Sequence, residues 1–243
     1  ATVWAELPSA CVCGSLPTTP PTNCSKVSSD DDGGDPLGPV VYAADMATSF
    51  PANSSVIEQL YAPSTRFGGS RNGALVQATG DCTVVCPNYD LASMISATGS
   101  PSFMYFFSYG PVCQDEAVLR NVSTAPITHG WASHAAELYW SFGTPSSCIT
   151  NASEHALTTA MQNYWGSFAR VGRPYMSGLP MATSHDGGSG SSGVEWKQYD
   201  ANARNTLILD LDIRMEQGWK AKDCGALKAA AGSGPETWPC LLS

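Results

Sequence analysis

The chain is short of charge. Only 12 of its 243 residues are Lys or Arg and 21 are Asp or Glu, and the charged share of 14% lies well below the roughly 25% of an average soluble chain. The net charge is −9, so the surface lacks the basic field that would hold nucleic acid or an anionic membrane face. No window of 18 apolar residues occurs, and no helix is expected to span a bilayer. Histidine is scarce, with four in all. Zinc sites need paired short Cys or His spacings, and only Cys11-Val-Cys13 and Cys82-x₃-Cys86 come close. The pattern therefore argues against a metal cluster. No internal repeat is present.

What the chain does have is 43% hydrophobic residues, enough for a sizeable core, and 23 Gly with 17 Pro, which imply many loops. The length suits one large domain or two small ones. Nine cysteines are scattered at positions 11, 13, 24, 82, 86, 113, 148, 224 and 240, a usage that fits disulfides in an oxidising compartment. Four glycosylation triplets agree, beginning at Asn23, Asn53, Asn121 and Asn151. The chain opens at Ala1 with neither Met nor a signal peptide, which reads as a processed product or part of a longer precursor. The expectation is a secreted or luminal protein with one cysteine left free or bridged to another chain.

Residues 1–40 are rich in turn formers, from Pro8 through Pro20-Pro21 to Asp30-Asp31-Asp32-Gly33-Gly34. They form a loop-rich Cys/Pro segment ahead of the main body at 41–243. Helical patterning runs from Val40 to Tyr61, interrupted by Phe50-Pro51-Ala52-Asn53, and Ser64–Gly73 reads as loop. Apolar spacing supports a helix from Asp81 to Ile95 with Pro87 in its first turn. The aromatic run Ser102–Gly110 reads as a buried strand. Further helices are expected from Trp131 to Phe142 and after Asn151, where Asn151-x-x-Glu154 makes a capping box. In that last helix Leu157, Met161, Tyr164, Trp165 and Phe168 follow at helical spacing, closed by Gly172 and Pro174. Asp186–Gly193 reads as a Gly/Ser-rich mobile loop, Thr206–Leu211 as a strand, and the tail from Cys224 as a short Ala-rich helix with a Cys240-anchored end. The class is α/β, with few strands for the length.

Three stretches together resemble the C-terminal part of the type-B carboxylesterase/lipase family, the cholinesterase-like branch of the α/β-hydrolases. Tyr164-Trp165-Gly-Ser-Phe168-Ala169-Arg170-Val-Gly172-Arg-Pro174, followed by Trp196-x-x-Tyr199, is similar to the family's Y-W-x-x-F-A-[RK]-x-G-x-P and W-P-x-Y. His134-Ala135-Ala136-Glu137-Leu138 through Phe142-Gly143 resembles H-G-x-E-[LI]-x-x-x-F-G, with Ala135 standing where the family has Gly. Asp81-Cys82 through Cys86-Pro87, and Tyr105-Phe106-Phe107, resemble D-x-x-[FV]-x-C-P and a Y-x-Y-F-F strand. The pieces keep the family's order over roughly residues 60–225. Leu16-Pro17-Thr-Thr-Pro20 and Asp31-Asp32-Gly33 are similar to its L-P-x-x-P and D-E-G turns, although Asn23–Ser28 replaces the aliphatic strand expected between them.

The resemblance implies a serine hydrolase that needs no cofactor. A serine hydroxyl attacks an ester carbonyl, a histidine takes the proton, and a carboxylate holds the imidazole. His134 is the implied base, because Glu137 and Leu138 follow at the family spacing. His129 precedes a glycine but lacks the glutamate, while His155 and His185 read as solvated. Asp32, with Asp31 as fallback, is the implied acid, and it precedes His134 by 102 residues. Glu137 is expected to orient the short helix it shares with His134 or to pair locally. Trp131 is the aromatic singled out for a substrate pocket; Phe106, Phe107, Trp140, Trp165 and Phe168 fit core packing better. The resemblance also pairs Cys86 with Cys224; Cys82 matches no family position.

No G-x-S-x-G occurs in the 243 residues, so the nucleophile elbow is missing. The expected architecture is therefore the C-terminal part of an α/β-hydrolase fold, completed by an N-terminal partner chain that carries G-x-S-x-G and meets the ester substrate. The alternative is a non-catalytic cholinesterase-like adhesion or structural component.

Overall fold

A computed structural model describes residues 37–110, 132, 135–144, 149–176 and 193–231. Segment 1–40 lies almost wholly outside them, as does nearly all of the stretch 186–193. The chain divides into two compact units, Asn88–Ala221 and Val3–Pro87 with Lys222–Ser243.

The second unit is helical. Pro39 opens α1 (Pro39–Ser49) at a position where its missing N–H has no partner to lose. The break at Phe50–Asn53 separates it from α2 (Ser54–Leu60). Tyr42, Met46, Phe50, Ile57 and Tyr61 are buried, as are Leu75 and Ala78 further along the chain. The expected loop at Ser64–Gly73 instead holds a short α3 (Pro63–Arg66) and the start of α4 (Arg71–Gly80). Ser70 caps α4 by accepting from the Gly73 N–H at 3.0 Å. The helix expected to begin at Asp81 therefore begins ten residues earlier.

Between α4 and α5 (Cys86–Ala97) the backbone passes through one π turn, Asp81–Val85. A wider turn there gives Pro87 room, since its ring would clash with the carbonyl four residues back in an uninterrupted α-helix. The side chain of Asp81 is fully buried and accepts from the Tyr61 hydroxyl at 2.9 Å and Gln77 Nε2 at 2.8 Å. Burial, together with the charge and hydrogen bond of Asp81, pushes the Tyr61 phenol far up and keeps it a donor.

Cys86 is joined to Cys224 of α8 (Ala221–Ala231), with the Cα atoms 5.4 Å apart across a sequence separation of 138. Arg66 adds a two-pronged ion pair to Asp223, at 3.1 and 2.9 Å, and its guanidinium lies over the Tyr61 ring. A chemical and an electrostatic tie thus converge on the first turn of α8.

The first unit is built on a sheet. β1 (Met104–Phe107) pairs in parallel with β2 (Thr206–Leu209), and β2 pairs antiparallel with β3 (Arg214–Glu216). β2 is buried at all four positions, as a strand inside a sheet covered on both faces should be. β3 carries no apolar alternation, and nothing in its sequence marks it as a strand. The Tyr89 hydroxyl of α5 meets Thr206 Oγ1 at 2.6 Å, and the Tyr199 hydroxyl meets Ser93 Oγ at 3.0 Å.

Across the sheet lie α6 (Leu138–Phe142) and the twenty-residue α7 (Ala152–Val171). Asn151 and Glu154 form the capping box foreseen from their spacing. The Glu154 carboxylate accepts from the N–H groups of Thr150 (2.7 Å) and Asn151 (3.0 Å), the Thr150 hydroxyl (3.1 Å) and the Tyr109 hydroxyl (2.6 Å). Leu157, Met161 and Tyr164 are buried against Phe107, Leu207 and Leu209. Phe168, expected on the same face, is 51% exposed; its ring meets that of Phe103 edge-on. Trp196 sits among Phe103, Tyr105, Tyr164 and Trp165 and donates from Nε1 to the Met104 carbonyl at 3.0 Å.

Two measurements probe this framework. Replacing Cys86 and Cys224 together by Ala should lower unfolding stability by about 4 kcal/mol, the cost of freeing so long a loop, read as the fall in denaturant midpoint. Burial pushes the Glu154 carboxyl up, but its four donors outweigh this and hold it below the ordinary carboxylate range. Its stabilisation is therefore complete above the unfolded-state pKa and is lost as pH falls through the folded one. Glu154→Gln should lower the melting temperature at neutral pH, by about 1 kcal/mol in stability, and flatten its decline toward acid; an unchanged acid limb would contradict the assignment.

Candidate functional site

His134, Trp131, Asp31, Asp32, His129, His185, Asn23 and Asn121 lie outside the described residues. What is described is the frame on either side of His134. Ala132 and Ala136 are both buried, in one core with Phe107 and Leu209, the last residues of β1 and β2. Trp140 of α6 is fully buried, 5.4 Å from Phe107 and edge-on to Tyr109 at 5.5 Å. Among the described residues its buried indole N–H meets no acceptor, and ring packing holds it in place. The candidate histidine thus belongs to a segment whose described neighbours, Ala132 and Ala136, share a core with residues of both parallel strands; open α/β sheets place their reactive groups at the carboxyl ends of such strands.

A helix was expected from Trp131 to Phe142, but α6 begins only at Leu138. The reason is local. Ala135 has φ 63°, a left-handed backbone that cannot continue a right-handed helix and that costs a non-glycine residue about 1 kcal/mol or more. Glycine, which the resembling motif has at this place, takes that conformation freely. At the far end Gly143, at φ 59°, closes α6, and a Cβ there would strike the Gln162 side chain of α7. Glu137 lies near Tyr105: burial first, then the Glu137 charge, pushes that phenol up to about 12.

Next to this frame, the Ser108 hydroxyl donates to Asp210 Oδ2 at 2.7 Å, and the Ser108 N–H donates to the Leu209 carbonyl at 2.9 Å. This Ser–Asp pair ties the loops leaving β1 and β2 together. It went unseen in the sequence because its members are 102 positions apart and neither belongs to a motif. Among the aromatics, Phe107 and Trp140 are core residues, Phe106 is buried against the Trp219 ring at 4.2 Å, and Trp165 is half-buried. His155 is exposed in the first turn of α7. Cys82 is disulfide-bonded, as Cys86 and Cys224 are. Among the described residues no group of His, Cys, Asp and Glu is arranged to hold a metal ion, and no helix is long and apolar enough to cross a membrane.

Relieving the left-handed strain beside the histidine is the direct check on this frame. Ala135→Gly should raise stability by about 1 kcal/mol, seen as a higher thermal midpoint, and Ala135→Val should lower it. A lower midpoint for the glycine variant would show that residue 135 does not hold this backbone conformation.

Comparison with known proteins bears on the same residues. The chain is 27% identical to mouse carboxylesterase 1E over 158 residues, covering 65% of this chain and 24% of the relative. It is 26% identical over 190 residues to the precursor of a medium-chain fatty acyl-CoA hydrolase of the duck Anas platyrhynchos, covering 75% and 29%. Mouse carboxylesterase 5A is 27% identical over 156 residues, covering 61% and 23%. The chain thus spans about a quarter of the length of the curated relatives it matches. A model of the carboxylesterase family matches residues 34–227, a span that includes β1, the His134 segment, α7 and β2. With the parallel pair and its flanking helices forming part of an α/β-hydrolase fold, this chain belongs to the carboxylesterase family.

Proposed function

We propose that the chain is the histidine-bearing part of a serine carboxylic-ester hydrolase working in the secretory pathway. His134 is the general base, and Asp32, or Asp31 beside it, is the carboxylate that orients the imidazole. The nucleophilic serine and the oxyanion hole come from a companion stretch of polypeptide carrying G-x-S-x-G. In the reaction the serine Oγ attacks the ester carbonyl while its proton passes to the His134 imidazole. That proton then leaves on the departing alcohol, and water repeats the sequence to release the acid. Trp131, three residues before His134 in sequence, is the aromatic assigned to the wall of the acyl or alcohol pocket.

The observation that carries this reading is the backbone at Ala135. A left-handed residue directly after His134 matches the turn that a His-Gly pair would make. Secretory residence is supported by the Cys86–Cys224 disulfide and the oxidised Cys82, because cytosolic reductants keep thiols reduced. The companion is supported by the lack of G-x-S-x-G in 243 residues and by the quarter-length overlap with relatives. The relative named as a fatty acyl-CoA hydrolase suggests an acyl ester or thioester as substrate.

A second reading, a non-catalytic cholinesterase-like adhesion or structural component, draws on one feature. Ala135 keeps the glycine-type backbone with a residue that strains it, as happens where selection for the precise turn has relaxed.

The test is to isolate the native protein with any companion under non-reducing conditions and treat it with a fluorophosphonate serine probe. Labelling of a companion containing G-x-S-x-G, reduced at least a hundredfold in rate by His134→Ala, is the expected result. Loss on His129→Ala instead would move the base to His129. No labelling of any companion would leave the non-catalytic reading standing.

A further inference from the structure

Two glycosylation triplets fall within the described residues, and the structure treats them differently. Asn53 precedes α2 and is half-buried. Its Nδ2, the atom that would carry a sugar, donates to the Ala230 carbonyl near the end of α8. Asn151 precedes α7 and is exposed, as are Ala152 and Ser153. Its Oδ1 accepts from the N–H groups of Ser153 and Glu154, each at 3.0 Å, while no hydrogen bond engages its Nδ2 among the described residues.

We infer that Asn151 carries an N-linked glycan and that Asn53 is left bare. The argument rests on the division of labour within one carboxamide. Glycosylation forms a bond from Nδ2 to the anomeric carbon of a lipid-linked diphospho-oligosaccharide. One N–H proton is lost, the anomeric C–O bond breaks, and the lipid diphosphate leaves with the electron pair. Oδ1 is untouched, so both of its capping hydrogen bonds survive. The other half of the capping box, from the Asn151 backbone N–H to Glu154, never involves the side chain. At Asn151 the helix cap and the sugar use different atoms, and the fold accepts both. At Asn53 they compete: a sugar on Nδ2 must fit into a half-buried space between α2 and the Ala230 carbonyl that the same nitrogen already occupies.

This inference rests on the secretory reading above, and the experiment separates the two. The full chain, secreted from eukaryotic cells with its companion, is digested with a peptide N-glycosidase in heavy-oxygen water, which tags each formerly glycosylated asparagine as labelled aspartate. Label at Asn151 and none at Asn53 is expected. Asn151→Asp keeps the capping oxygen and Ser153→Ala keeps the capped N–H; each should remove one glycan mass while the protein remains folded. Label at Asn53, or an unlabelled Asn151 in a protein glycosylated at Asn23 or Asn121, overturns the assignment. A protein without label at any triplet, and with Cys86 and Cys224 reduced, overturns the assignment together with the secretory reading.

Discussion

The parallel ladder between β1 and β2 is the constraint on which the rest of the sheet unit depends. Met104 pairs with Thr206 and Phe107 with Leu209, so two strands some hundred residues apart run in the same direction. A parallel pair cannot be closed by a tight turn; the chain between must leave one end and return to the other. The segment around His134, α6 and α7 all lie on that return path. Their apolar faces supply the cover the sheet needs, through Trp140, Leu157, Met161 and Tyr164. The candidate base is therefore not added to a finished fold; it sits on the connection that makes the parallel pair possible.

Two buried carboxylates, one in each unit, share one feature: each is held by donors from more than one element or turn. Asp81 is held by Tyr61 and Gln77. Glu154 is held by Tyr109 and by the turn that begins α7. A carboxylate taken out of water is costly unless hydrogen bonds replace its hydration. Such sites fix the chain closely because any shift of one element leaves a buried charge unsatisfied. Ala135 shows the opposite situation, a strained backbone retained because buried Ala132 and Ala136 on either side hold it in place.

How much of this was legible depended on the range of the interactions. The capping box at Asn151, the breaks after Ser49 and Phe142, and the aromatic strand are set by neighbours within a few residues, and each stands at or near its expected place. The helix start at Ser70 was overlooked because a polar, glycine-containing stretch resembles loop when read alone. Helix at Ala135–Glu137 is not formed, because apolar spacing does not register a left-handed residue. Phe168 was assigned to the core because periodicity gives a helix face but not where the neighbouring elements stop covering it.

By itself the sequence determined the family, through motifs whose order and local spacing are covalent facts, and it determined the low charge and the cysteine pattern. It also determined the Asn151 cap of α7. Only the tertiary structure decided that β3 is a strand, since its partner β2 lies on the other side of a turn and supplies the hydrogen bonds that Arg214–Glu216 would not seek on propensity. The same holds for the union of Ser108 with Asp210, and for the two asparagines, identical as triplets, of which one offers its nitrogen to solvent and the other spends it on Ala230. Hydrogen bonds between distant segments have no signature in either segment alone, because each partner's requirement is met by geometry that exists only once both are folded.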